Sequence, residues 1–215
     1  MQTAIKRTRN AKATKGRILK AAKHEFARLG LAGARIDAIA NRAETNKRMI
    51  YHYFGSKDDL FRAVLEDAYL AIRKAEQGLN LETLTPREAM ETLVRFTWTY
   101  YLENPEFIRL VNSANLHQAR HLEGSERLRQ ASRQFVDMVR LILERGVADG
   151  TFRSGIDPVQ LNITIAAIGY YYLTNRYSGA ILFERAYMTP EALTERLNFN
   201  LETILNMVLA PPAKP

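Results

Sequence analysis

The feature that most restricts this chain is the spacing of its apolar side chains, which return every three or four positions over most of its length. Ile18, Leu19, Ala22, Phe26 and Leu29 form one stripe, and Leu60, Val64, Leu65, Ala68 and Ile72 form a second. Phe135, Met138, Val139, Ile142 and Leu143 form a third, and Leu193, Leu197, Leu201, Ile204, Leu205 and Val208 a fourth. That period fits an α-helix and not the two-residue alternation of a half-buried strand. Each stripe must be covered by another element, so the chain is expected to fold as helices packed on helices. Ile163–Ile165 is β-branched, but it lies behind a helix-start signal inside a long apolar segment and is read as helix.

Start and stop signals agree. Thr85-Pro86-Arg87-Glu88 places an N-cap, a Pro at the first helical position and an acid three residues after the cap. Asp157-Pro158 repeats the device, Ser56-Lys57-Asp58-Asp59 resembles a capping box, and Asn104-Pro105 and Thr189-Pro190 each join a cap residue to Pro. Glycines 30, 78, 124, 150 and 155 fall between periodic segments and read as stops. The expectation is an all-α protein of about nine helices. It divides into a basic flexible tail (1–13), a three-helix module (14–60), a larger helical body (61–209) and a Pro-rich stub (210–215).

Charge separates module from body. Residues 1–60 hold 14 Lys and Arg against 5 Asp and Glu, a net of +9, while the remainder holds 17 against 18. A compact basic module joined to a near-neutral body points to nucleic acid as the module's partner, although residues 1–15 alone also fit a solubilising tail. The chain has no cysteine, which excludes a disulfide scaffold, a thiolate metal site and a cysteine nucleophile. No run approaches the roughly 18–20 apolar residues of a membrane span, and no apolar segment follows the basic start as in a signal peptide. The expected location is the cytoplasm, with no membrane partner.

The module carries the motif. A first helix at about 14–30 precedes a short one at Ile36–Ala43 and another at Lys47–Phe54, the last two separated by Glu44-Thr45-Asn46. Two short helices across a three-residue turn make a helix-turn-helix, in which the second helix enters the major groove and its first residues meet base edges. Here those residues are Asn46, Lys47 and Arg48, followed by Tyr51, His52, Tyr53 and Lys57 as candidate phosphate donors. The same spacing also fits a purely structural helical corner, and Ile50 and Phe54, four apart, read as core.

Residues 16–65 resemble the N-terminal domain of the TetR family of bacterial transcriptional regulators. The resemblance rests on Ile18-Leu19, Ala21-Ala22, Phe26, Gly30, Ile39-Ala40, Ile50-Tyr51-His52-Tyr53-Phe54, Ser56-Lys57 and Leu60. It implies base reading by Lys47 and Arg48, with Met49 near a thymine methyl, and phosphate contacts from Arg35, Thr45, Tyr51, His52, Tyr53 and Lys57. Two positions depart from the family. Ala34-Arg35 stands where Thr or Ser usually caps the second helix, with Asp37 in the first turn as compensation through the helix dipole. Glu44 stands where the turn favours Gly in the left-handed region, at a cost of about 1 kcal/mol.

For the body the resemblance implies an effector pocket and a dimer. Trp98, Tyr101, Phe107, Asn112, Asn115, His117, Phe135, Met138, Tyr171 and Asn175 are the pocket candidates, each also compatible with plain core or surface, the reading that Trp98, Phe135 and His117 favour. The last two long helices resemble the family's closing pair, which nominates Leu161, Ile165, Ile168, Leu197, Leu201, Ile204 and Val208 for the homodimer interface. A two-fold dimer implies a pseudo-palindromic double-stranded DNA operator.

The resulting expectation is a ligand-responsive DNA-binding regulator, a repressor released from its operator by a small-molecule effector, with no cofactor and no catalytic residue. Three readings compete. His117 and His121, four apart, would suit a metal-responsive regulator, a non-specific architectural DNA binder would need the basic module alone, and an all-α enzyme would need a catalytic set that no recognisable motif supplies.

Overall fold

The computed structural model describes residues 2–211, with side chains from residue 11 onward; residues 212–215 of the expected stub lie outside the described residues. Ten α-helices are present among them: α1 (Gln2–Gly33), α2 (Ile36–Arg42), α3 (Lys47–Phe54), α4 (Lys57–Gln77), α5 (Pro86–Glu103), α6 (Pro105–Leu116), α7 (Glu126–Ala148), α8 (Pro158–Thr174), α9 (Arg176–Leu182) and α10 (Pro190–Val208). One isolated antiparallel bridge joins Phe152 and Leu209. No helix of the described residues is long and apolar enough to cross a membrane.

The start signals work as read. Thr85 closes a full capping box with Glu88. Asp157 accepts from the Val159 and Gln160 amides, and Thr189 from that of Ala192. Asn104 differs: its side-chain amide donates to the Tyr100 carbonyl at 2.9 Å, so it finishes α5. The residues expected as a flexible tail are helical from Gln2. Ala, Lys, Arg and Gln dominate that stretch and favour helix, with neither Gly nor Pro before Gly16 to interrupt it. The long apolar segment that begins at Pro158 forms α8. It stops at Thr174, where the Asn175 side chain donates to the Tyr171 carbonyl, and α9 follows as a separate element.

Packing divides the chain into two compact units. The first comprises the residues up to Ala71 with Pro105–Leu128. Its interior is formed by Ile18, Phe26, Ile39, Ile50, Leu60 and Phe61, all without solvent exposure, and the Phe26 and Phe61 rings meet edge to face at 5.0 Å. Gly30 interrupts α1 with φ +68°, and Ser113 of α6 takes the space beside it. There Ser113 Oγ accepts a hydrogen bond from the Leu31 amide at 3.2 Å. Most side chains cannot hold that backbone cheaply, which explains the glycine.

The second unit comprises Ile72–Asn104 with the residues from Arg129 onward. Its core is built by α5, α7, α8 and α10 around Met90, Leu93, Val139, Ile142, Leu161 and Ile204. Gly146 in α7 has a packing role: a Cβ there would lie 2.0 Å from the Phe152 ring. That ring is anchored where Arg153 donates to the Val208 carbonyl and Ala210 to that of Thr151.

Candidate nucleic-acid interface

The helix-turn-helix forms because its turn satisfies its own backbone. Glu44 adopts φ +49°, the left-handed position expected for it, and the Thr45 amide closes on the Ala40 carbonyl at 3.0 Å. Asn46 is extended and its Oδ1 accepts from the Met49 amide at 3.0 Å, which starts α3. Asn46 is thus a cap first. At the other end Arg35 occupies the N-cap of α2 without a side-chain cap bond, leaving Asp37 as the acid of the first turn.

Ile50 is fully buried and sets the roll of α3. Lys47, Arg48, Tyr51 and His52 consequently point to solvent, while Met49 and Tyr53 are half-buried. The His52 and Tyr53 rings are 5.3 Å apart. Arg35 is exposed and Thr45 half-buried. Ser56 opens α4 by accepting from the Asp59 amide and donating to its carboxylate. Lys57, at the first position of α4, donates to the Ala32 carbonyl at 3.2 Å. From α1, Arg17 Nε donates to the Ala43 carbonyl at 3.2 Å, and Lys15 sits over the Phe54 ring. Both short helices are therefore tied to α1 at their C-terminal ends.

Two relationships in this unit were missed from the sequence. Lys47 Nζ forms an ion pair with Asp37 Oδ1 at 2.6 Å. His121, considered only as a metal ligand, is 3% exposed and its Nε2 lies 3.0 Å from Asp58 Oδ1. A repeat of cations or a histidine spacing carries no trace of either pairing. The His117 and His121 rings are perpendicular with centroids 6.3 Å apart. Among the described residues no three His, Cys, Asp or Glu gather as a metal would require.

The pocket candidates fall in both units. In the first, Phe107 is buried against Tyr69, Asn112 and Asn115 are exposed, Asn115 donating to the Val111 carbonyl, and His117 is half-buried. In the second, Trp98 is 3% exposed and meets the Tyr172 ring at 5.7 Å. Tyr101 packs against Gly169. Phe135 is covered by the Arg73 guanidinium at 4.0 Å, and Met138 packs on the core. Asn175 caps the end of α8. Tyr171 is 64% exposed and lines a cleft of about 480 Å³ with Tyr172, Phe183, Tyr187, Arg196 and Phe199; it is the one nominated pocket residue there.

Five of the residues nominated for the dimer interface need correction. Leu161, Ile165, Leu201, Ile204 and Val208 are buried in the core of their own subunit, and Ile168 and Leu197 pack against it. The large apolar side chains of these helices that remain exposed are Val159, Ile163 and Tyr171 on α8 and Phe199 on α10. The first three lie four and eight residues apart on one side of α8 and are offset by two positions from Leu161 and Ile165, about 200° round the helix.

Comparison with known proteins places both parts of the chain. The family described as bacterial regulatory proteins, tetR family, matches residues 18–64, and the tetracyclin repressor-like C-terminal domain matches residues 86–204. The HTH-type transcriptional repressor NicS of Pseudomonas putida is 41% identical over 172 residues, covering 80% of this chain and 81% of NicS. The HTH-type transcriptional repressor SCO4008 of Streptomyces coelicolor is 41% identical over 103 residues, 48% of this chain and 50% of that protein. Among solved structures, the putative transcriptional regulator SCO4942 of Streptomyces coelicolor superimposes with a TM-score of 0.71 at 27% identity, covering 92% of this chain and 99% of that one.

Proposed function

Because the chain belongs to the TetR family of bacterial regulatory proteins and is a ligand-responsive DNA-binding transcriptional repressor, we propose that its operator is read by the first turn of α3. Lys47 and Arg48 meet base edges there, Arg48 by a bidentate contact to guanine, and Met49 lies near a thymine methyl. Arg35, Thr45, Tyr51, His52, Tyr53 and Lys57 hold phosphates, with Asn46 fixing the entry of α3. The observation that carries this reading is the cap and anchor together. Asn46 starts the helix and Ile50 is buried beneath it, so two long cations emerge at the end where a major groove would be entered.

Residues 14–60 are the DNA-binding module, and residues 61–209 serve effector binding and dimerisation. Two copies pair through the exposed faces of α8 and α10, with Val159, Ile163, Tyr171 and Phe199 at the contact. The two-fold axis requires a pseudo-palindromic operator. A small-molecule effector shifts the population toward a form that no longer fits two half-sites, and the protein acts in the cytoplasm.

The test is operator binding by the double variant Lys47→Ala, Arg48→Ala. The duplex is one enriched from genomic fragments by the wild-type protein. Loss of discrimination against a scrambled duplex is expected, and unchanged specific affinity would sink the assignment. Trp98 is the only tryptophan and its ring meets that of Tyr172, which lines the cleft, so a change in its fluorescence is the expected readout of effector binding in a ligand screen.

A further inference from the structure

A strained turn after α6 carries a buried histidine, His121, outside the helix-turn-helix. Helix α6 ends in a doubled turn: the Gln118 amide donates to the Asn115 carbonyl at 3.0 Å and the Ala119 amide to that of Ala114 at 2.8 Å. This is the hydrogen-bond pattern of a Schellman closure, normally made by glycine. Here Gln118 and Ala119 hold it with φ +58° and +53°, two consecutive non-glycine residues in the left-handed region. Strain of this kind persists only where the surroundings enforce it.

What the turn delivers is His121. Its ring is 3% exposed and meets the Phe61 ring edge-on at 5.0 Å. Nε2 lies 3.0 Å from Asp58 Oδ1, and the Arg120 guanidinium lies 3.6 Å from the same oxygen. An ionised carboxylate only accepts, so Nε2 carries the proton. Asp58 is the second residue of α4, directly after Lys57. Left alone, its carboxylate would repel a phosphate at that helix end. The hydrogen bond from His121 holds the carboxyl below its ordinary range, and the charges of His121, Arg120 and Lys57 add to the effect against the opposing pull of burial.

We propose that His121 is a positioning residue for DNA binding: through Asp58 it fixes the first turn of α4 and thereby sets Lys57 against the DNA backbone. The proposal rests on reading Lys57 as a phosphate contact. His121 touches no DNA itself. It acts by keeping one orientation of the helix end populated, so its loss reduces the fraction of protein that can make the contact.

The experiment measures DNA affinity of the full-length protein against salt concentration, on the duplex enriched by the wild type. His121→Phe keeps a ring against Phe61 and removes the donor; His121→Gln returns an amide donor near the Nε2 position. His121→Phe is expected to weaken binding about tenfold, in the range of a lost hydrogen bond to a charged group. It is also expected to lower the slope of log K against log salt by about 0.9 per reading head. His121→Gln restores both, and in a Lys57→Ala background His121→Phe adds nothing. Simple destabilisation lowers the active fraction and leaves the slope alone. Asp58→Ala alters an exposed side chain, so it provides a second route to the same fall in slope should His121→Phe fail to fold. A slope lowered by Lys57→Ala but untouched by His121→Phe or Asp58→Ala overturns the positioning role alone. A slope untouched by Lys57→Ala overturns the phosphate contact and the proposal with it.

Discussion

Lys47 Nζ lies 2.6 Å from Asp37 Oδ1, so the first residue of α3, the proposed reading helix, is already paired in the free protein. Both side chains are more than half exposed, and such a pair contributes about 0–1 kcal/mol. A guanine edge or a phosphate can therefore displace Asp37 at little cost. The acid also adds a negative charge beside the proposed reading helix. Asp37→Asn is expected to raise affinity about two- to fivefold, on an operator and on a scrambled duplex alike, because up to ~1 kcal/mol of pairing is released without any base being read. Fluorescence anisotropy on both duplexes measures this. A gain confined to the operator would mean instead that Asp37 orients Lys47 for a particular base.

Glu44 invites a stability prediction. Its φ of +49° is a position for which a longer side chain has no preference, and the family favours glycine in the corresponding turn. Asparagine tolerates that region better than other non-glycine residues and gives up less chain entropy than glycine. Glu44→Asn should raise stability by about 0.5–1 kcal/mol and strengthen DNA binding at low salt by removing an acid near the duplex. Urea unfolding gives the first outcome directly, and an unchanged or lower midpoint would show that the turn carries no relievable strain.

The features readable from the sequence were those set by a few neighbouring residues. Thr85, Asp157, Thr189 and Asn46 each satisfy amides two or three positions ahead, so their roles follow from local chemistry. The left-handed Glu44 was legible for the same reason. The core stripes of α4 and α7 were legible because their buried residues, such as Leu60, Val64 and Ala68 or Phe135, Val139 and Ile142, keep a three- to four-residue period. Helix α8 shows the opposite case. It is apolar nearly all round, so its pattern has no phase, and Leu161 and Ile165 were read as partner-facing although they face inward. The extended start of α1 has no apolar period to announce it. The pairings of Lys47 with Asp37 and of His121 with Asp58 depend on how separate helices cross, which no spacing encodes.

Glu76 makes the stability of the second unit depend on pH. Its side chain is 3% exposed, and burial pushes its carboxyl up to about 8 against the pull of Arg73. Arg73 Nε is 3.1 Å from Oε2, yet that oxygen has no hydrogen bond. The folded protein therefore holds a proton that the unfolded chain releases near its ordinary value of 4.5. With more protons bound in the folded state, stability falls as pH rises through the window from 4.5 to about 8 and levels off above it. The loss amounts to at most a few kcal/mol, since one pKa unit is worth about 1.4 kcal/mol. Glu76→Gln should remove this component. Denaturant midpoints of the two proteins at acidic and alkaline pH decide it, and parallel curves would show that Glu76 is ionised when folded.

The two faces of α8 make opposite predictions for the same substitution. Ile163 is 52% exposed, whereas Ile165, two residues on, is 4% exposed. Ile165→Asp places a charge in the core and should prevent stable folding, because an isolated buried carboxylate costs several kcal/mol even after it takes up a proton. Ile163→Asp leaves that core intact. In an interface between two copies it would set two like charges near one another on an apolar contact, so the fold should survive while the dimer dissociates. Helical circular dichroism close to wild type, a monomer by sedimentation, and a large loss of affinity for a two-half-site operator with binding to a single half-site retained are the expected results. A folded Ile163→Asp protein that sediments as the wild-type dimer would falsify the assignment of this face.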